Sequence, residues 1–180
     1  MREVANIDVL GDGALQRGIA WLSLAVLGGT VLLAGLLAFV LGGECLDVWW
    51  WAALALGSLV ALPVHELVHG AAFKLLCPGC RVSFGFQDAF LYTRTDGAVL
   101  PRGRMVVVLL APAVLVTAAL AAAALAAGRP VLAVLLAGIH LAGCAGDVLM
   151  AAACLREPSC THVRDTETGI TLLSNREEDA

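Results

Sequence analysis

Charge is scarce in this chain. Only 14% of its 180 residues are Asp, Glu, Lys or Arg, and only 6% are aromatic. A soluble domain of this length carries nearly twice that charge. The net charge is −4, so no basic excess exists to neutralise a phosphate backbone, and no nucleic-acid partner is expected. A cleavable signal peptide is not evident either. Met1 to Gly18 hold Arg2, Glu3, Asp8, Asp12 and Arg17, a polar head, and the apolar run that follows is too long for a signal. The six cysteines make no disulfide framework. Cys144 and Cys154 fall in an apolar run, and Cys77, Cys80 and Cys160 fall on the side that charge marks as reducing. Cys45 alone lies on the other side.

What remains is apolar. Hydrophobic residues make up 60% of the chain, and mean hydropathy is +0.89. Four stretches stand out: Ile19–Leu41, Trp49–Leu76, Met105–Gly128 and Val131–Leu155. About 20 apolar residues cross a bilayer core as a helix, and each stretch is long enough. The expected class is an all-α integral membrane protein, one domain over residues 1–180, with four transmembrane helices. Ten of the 11 positive residues lie before the first span, around the loop Pro78–Arg104, or after the fourth span; only Arg129 lies elsewhere. By the positive-inside rule, both termini and the middle loop are cytoplasmic.

The middle loop differs in character. "RVSFGFQDAFLYTRTDGAVLP" mixes β-branched and aromatic residues with polar ones and contains Asp96-Gly97, a hairpin-turn pair. A small β-hairpin at the inner membrane surface is expected; the alternative is an irregular interfacial loop. The polar tail, 158–180, suggests one short strand near Ile170–Leu173 and a frayed acidic end. "CPGC", Cys77–Cys80, has redox or zinc spacing. The preferred reading is a Pro-Gly helix stop; a second zinc site with Cys154 or Cys160 is the weaker alternative.

Three polar side chains interrupt the second span. His65-Glu66-Leu67-Val68-His69 is an H-E-x-x-H sequence. On a helix, i and i+4 share a face, about 6 Å apart along the axis. Two imidazoles can then reach one Zn²⁺ at about 2.0–2.1 Å. Glu66, beside the first ligand, is placed to take a proton from an activated water and return it to a leaving nitrogen. The competing reading is three polar groups satisfied within a helix bundle. An ionisable group at bilayer depth costs about 2.5–3.5 kcal/mol, which favours a function.

A catalytic zinc needs a third protein ligand. Asp147 sits 16 residues into the fourth span, and His65 and His69 sit 14 and 18 residues into the second. At 1.5 Å per residue all three lie about 21–27 Å from the outer face. His140 is the rival. It precedes Asp147 by seven residues, about 10 Å further out on a straight helix. Asp147 is preferred as ligand; His140 lines the cavity, binds a substrate carbonyl or bonds within the bundle. Small residues at Gly138 and in "GCAG" permit close helix approach, and Pro63 is expected to kink the second span.

In order, "HELVHGAAFKLL", "VSFGF", "LAPAVL", "HLAGCAGDVLM" and "RDTETGITLL" resemble the putative zincin peptidase family of prokaryotic multi-pass membrane proteins. That family is similar in layout to the site-2 intramembrane metalloproteases. The resemblance implies His65, His69 and Asp147 as zinc ligands and Glu66 as catalytic base, in helices packed around a buried Zn²⁺. It implies hydrolysis of a membrane peptide or protein substrate within the lipid bilayer. The Asn-Pro-Asp-Gly pattern of the site-2 layout is here "AGDV", and no regulatory domain of PDZ type is present. The contrasting expectation is a metal-binding membrane protein, transporter or scaffold, that hydrolyses nothing.

Overall fold

A computed structural model describes residues 1–87 and 90–175. In chain order the elements are β1 (Arg2–Asp8), α1 (Gly13–Leu41), α2 (Val48–Leu76), β2 (Val82–Gln87), β3 (Phe90–Thr95), β4 (Val99–Pro101), α3 (Arg102–Ala126), α4 (Pro130–Gly143), α5 (Ala145–Arg156), β5 (His162–Asp165) and β6 (Gly169–Ser174). The acidic end expected to fray, 176–180, lies outside the described residues.

The helices begin and end where local chemistry dictates. Asp12 caps α1, its carboxylate accepting from the Ala14 and Leu15 amides; such a cap satisfies donors that the first turn leaves unpaired. Gly42, at φ 77°, closes the same helix with its N–H on the Ala38 carbonyl. Asp47 caps α2 through the Trp50 amide. The helix then runs unbroken through Pro63 to Leu76.

α1, α2 and α3 are each long and apolar enough to cross a membrane. Their outward surfaces are apolar too: Leu32, Phe39, Trp49 and Leu75 are largely exposed. A water-soluble monomer does not display such area, so this is the surface of a membrane protein. The fourth apolar stretch is not one straight helix. α4 and α5 meet at Cys144 with a bend of 56°, and together they pass the same length and hydropathy test. Small residues do permit close helix approach here. A Cβ on Gly138 would lie 2.0 Å from Thr30 Oγ1, so the missing side chain lets α4 press against α1.

The β content exceeds the expected hairpin and the expected tail strand, which is β6. β2 and β3 form that hairpin, pairing Val82 with Thr95 through Gln87 with Phe90. Asp96-Gly97 is not its turn; the pair links β3 to β4, which belongs to a different sheet. A second, four-stranded antiparallel sheet has the order β1-β6-β5-β4. The polar head of the sequence is therefore a strand, paired from Arg2↔Ser174 to Asp8↔Gly169. Leu100, Met105, Val163, Ile170 and Leu172 are almost wholly buried between this sheet and the ends of α2, α3 and α5. Burying each such side chain stabilises by roughly 1.5–3 kcal/mol.

At the other end of the bundle, the α1–α2 loop holds the start of α4. Glu44 accepts from Trp50 Nε1 at 2.7 Å and from the Val131 amide at 2.5 Å. Arg129 donates to the Cys45 carbonyl at 2.8 Å and pairs with Asp47 at 3.6 Å.

The spacing of Cys77 and Cys80 fits a helix stop or a redox or zinc pair. α2 does stop there, and a turn follows in which the Cys80 amide bonds the Cys77 carbonyl at 2.9 Å. That turn brings the two sulfurs together, and the structure joins them as a disulfide. This departs from the expectation of free thiols on that side.

Candidate metal centre

α2 carries His65, Glu66 and His69 half-buried or buried near its sheet-side end. α5 carries Asp147 in its first turn, where the helix dipole favours a carboxylate. The break at Cys144 aims that turn at α2. Three side chains converge: His65 Nε2 lies 3.2 Å from Asp147 Oδ2, His69 Nε2 lies 3.5 Å from Asp147 Oδ1, and the two Nε2 atoms are 3.0 Å apart. Three ligands at about 2.0–2.1 Å from a tetrahedral ion are about 3.3–3.4 Å apart. The donor set therefore has zinc dimensions as well as zinc chemistry.

The second nitrogen of each imidazole decides whether Nε2 is free. His69 Nδ1 is 3.0 Å from the Val108 carbonyl, which can only accept, so Nδ1 carries a proton and a neutral ring leaves Nε2 bare for a metal. That carbonyl is available for a reason. Its helical donor would be residue 112, which is Pro112, and proline has no N–H. A buried carbonyl orphaned in this way needs another donor, and His69 supplies it.

His140 is not remote from the site, as a straight fourth span would place it. Its Nε2 lies 3.3 Å from His65 Nδ1. The 56° bend sets His140 and Asp147 against opposite nitrogens of one ring. Cys144, at the break, has its thiol 3.8 Å from His65 Nδ1 and 3.2 Å from the His140 carbonyl. His65, His140 and Cys144 thus form a second group of metal-ligand type sharing His65 with the first. Neither group contains Cys77, Cys80, Cys154 or Cys160.

The hairpin is tied to this helix. Thr93 Oγ1 donates to the Glu66 carbonyl at 2.8 Å. Phe84 lies over Gly70, where a Cβ would be 2.5 Å from its ring.

Local sequence pattern does not single out Val108, Thr93 or Cys144, nor Thr117, whose Oγ1 lies 2.8 Å from His140 Nδ1. Two fainter signals are present: Pro112 inside a span, and Thr117 as the lone hydroxyl in the run Met105–Gly128.

A helical membrane protein with a His-Glu-x-x-His helix facing a carboxylate from a second helix has the layout of a metallopeptidase. Residues 58–162, more than half of the chain, match the model of the family described as putative zincin peptidase, and the chain belongs to that family. Searches of curated proteins and of solved structures found no match.

Proposed function

We propose that the protein is an intramembrane zinc metallopeptidase whose His65, His69 and Asp147 would hold Zn²⁺ and whose Glu66 is the general base. The observation that carries this reading is the convergence of three side chains from two helices, with nearest ligand atoms 3.0–3.5 Å apart. A zinc ion there would lower the pKa of water to about 7 and polarise a peptide carbonyl. Glu66 takes the proton of the attacking water and delivers it to the leaving amide nitrogen. The apolar outer faces of α1 and α2 keep bulk water from the site and favour a substrate that arrives through the bilayer. A substrate helix must unwind first, because its carbonyls are already bonded. The hairpin anchored beside Glu66 is suited to receive the unwound strand by edge pairing.

Pairing of β1 with β6 holds the two ends of the chain on one side, which supports an even number of crossings, with α4 and α5 as one broken span. Charge then assigns that side to the cytoplasm.

Glu66→Gln tests the reading. The amide is nearly isosteric and is not a ligand, so zinc content should stay near one per chain while cleavage falls about 10²–10⁴-fold. His65→Ala and His69→Ala should each release the metal. Wild-type cleavage by Glu66→Gln would overturn the mechanism. Zinc binding without any Glu66-dependent cleavage would favour a metal carrier or scaffold.

A further inference from the structure

We propose that His140 and Thr117 are positioning residues: together they hold His65 in the tautomer whose Nε2 is free for the metal. The inference rests on the metal-site reading above.

The chain of contacts crosses three helices. His65 on α2 has Nδ1 3.3 Å from His140 Nε2 on α4, and His140 Nδ1 is 2.8 Å from Thr117 Oγ1 on α3. Between two neutral imidazoles one nitrogen donates and the other accepts. Only two polarities are therefore open. In one, His140 Nδ1–H donates to Thr117, His140 Nε2 accepts, and His65 carries its proton on Nδ1. In the other, Thr117 donates to His140 Nδ1, His140 Nε2–H donates to His65, and His65 carries its proton on Nε2. The second polarity blocks the atom that faces His69 and Asp147. The first leaves it bare and parallels His69, whose Nδ1–H is held by the Val108 carbonyl. Metal-bound histidines generally give their other N–H to such a partner, which fixes the ring and raises its basicity.

The competing role for His140 is direct ligation with Cys144 and His65 Nδ1. Two features weigh against it. The thiol is within reach of the His140 backbone carbonyl at 3.2 Å, an ordinary partner within its own helix. His65 would also have to bind through Nδ1, turning away from the tighter His69 and Asp147 set, or bridge two ions as an anion.

The test is zinc affinity of the full chain in detergent, by competition with a chelator. It compares the wild type with Asp147→Ala, His140→Ala, His140→Gln, Thr117→Val, Thr117→Ser and Cys144→Ala. Asp147→Ala should abolish tight binding. His140→Ala should weaken it about 10–100-fold while one zinc per chain still binds. His140→Gln, whose carbonyl can accept the His65 proton, should recover part of that loss. Thr117→Val, almost isosteric, should weaken binding, Thr117→Ser should restore it, and His140→Ala with Thr117→Val should be no worse than His140→Ala alone. Cys144→Ala should be silent, and the Co²⁺-loaded protein should show no sulfur-to-metal charge-transfer band.

Unchanged affinity in His140→Ala or in Thr117→Val overturns the relay. So does complete metal loss in both His140→Ala and Cys144→Ala, or a thiolate band, because His140 is then a ligand. Wild-type affinity in Asp147→Ala defeats the metal-site reading itself, a failure distinguishable from the others because it does not involve His140.

Discussion

At the scale of single residues, the site depends on hydrogen bonds that select a nitrogen. An imidazole offers two, and only a bare one can bind metal. His69 is set by a carbonyl that Pro112 frees from its own helix. Pro112→Ala would return an N–H to the Val108 carbonyl and put it in competition with His69. A carbonyl can accept twice, so the loss is at the low end of the range for outer partners, about 10-fold in zinc affinity. Thermal stability without metal should not fall, because a proline inside a helix costs about 3 kcal/mol. Equal affinity in Pro112→Ala and wild type would show that the freed carbonyl plays no part in orienting His69.

At the scale of elements, the hairpin connects the site helix to the four-stranded sheet. Thr93 bonds the Glu66 carbonyl at one edge. At the other, buried Asp165 of β5 accepts from both the amide and the hydroxyl of Thr95, each at 2.7 Å. The Arg94–Glu167 pair nearby is too exposed to add much. Burial raises the Asp165 carboxyl above its ordinary 3.8, and the two Thr95 donors offset only part of that. The folded state therefore binds more protons than the unfolded state between 3.8 and the raised value. The stability from this group is fully present below 3.8 and is lost as pH rises through the folded value. Asp165→Asn keeps an oxygen for both Thr95 donors and carries no charge. It should remove that pH dependence and slow amide exchange in β3 and β5 at neutral pH. An Asp165→Asn protein whose exchange follows the same pH course as wild type would place the titrating group elsewhere.

At the scale of the whole molecule, the sheet ties the two ends of the chain together. Glu3→Cys, Ser83→Cys and Asn175→Cys, all at exposed positions, should label with a membrane-impermeant reagent only after cells are permeabilised. Cys45, exposed at the opposite end, should label in intact cells. Labelling of Glu3→Cys and Asn175→Cys from opposite faces would contradict the β1–β6 pairing. Labelling of all three from outside would reverse the orientation.

The sequence by itself determined what depends on length and local period. An apolar run near 20 residues specifies a candidate span, and 3.6 residues per turn put His65 and His69 on one face whatever surrounds them. Asp147 does lie against both rings, but across the 56° break at Cys144 and not on the straight span that a depth estimate assumes. Tertiary structure decided the rest. The β1–β6 pairing joins residues at opposite ends of the chain, and nothing within Arg2–Asp8 announces a partner so distant. The break at Cys144 moved His140 from a position about 10 Å away on a straight helix to the other nitrogen of His65. Which ring nitrogen is bare follows from groups on α3 and α4, Val108 and His140. A hydrogen bond is settled by distance and direction across packed helices, and spacing along one helix carries no record of it.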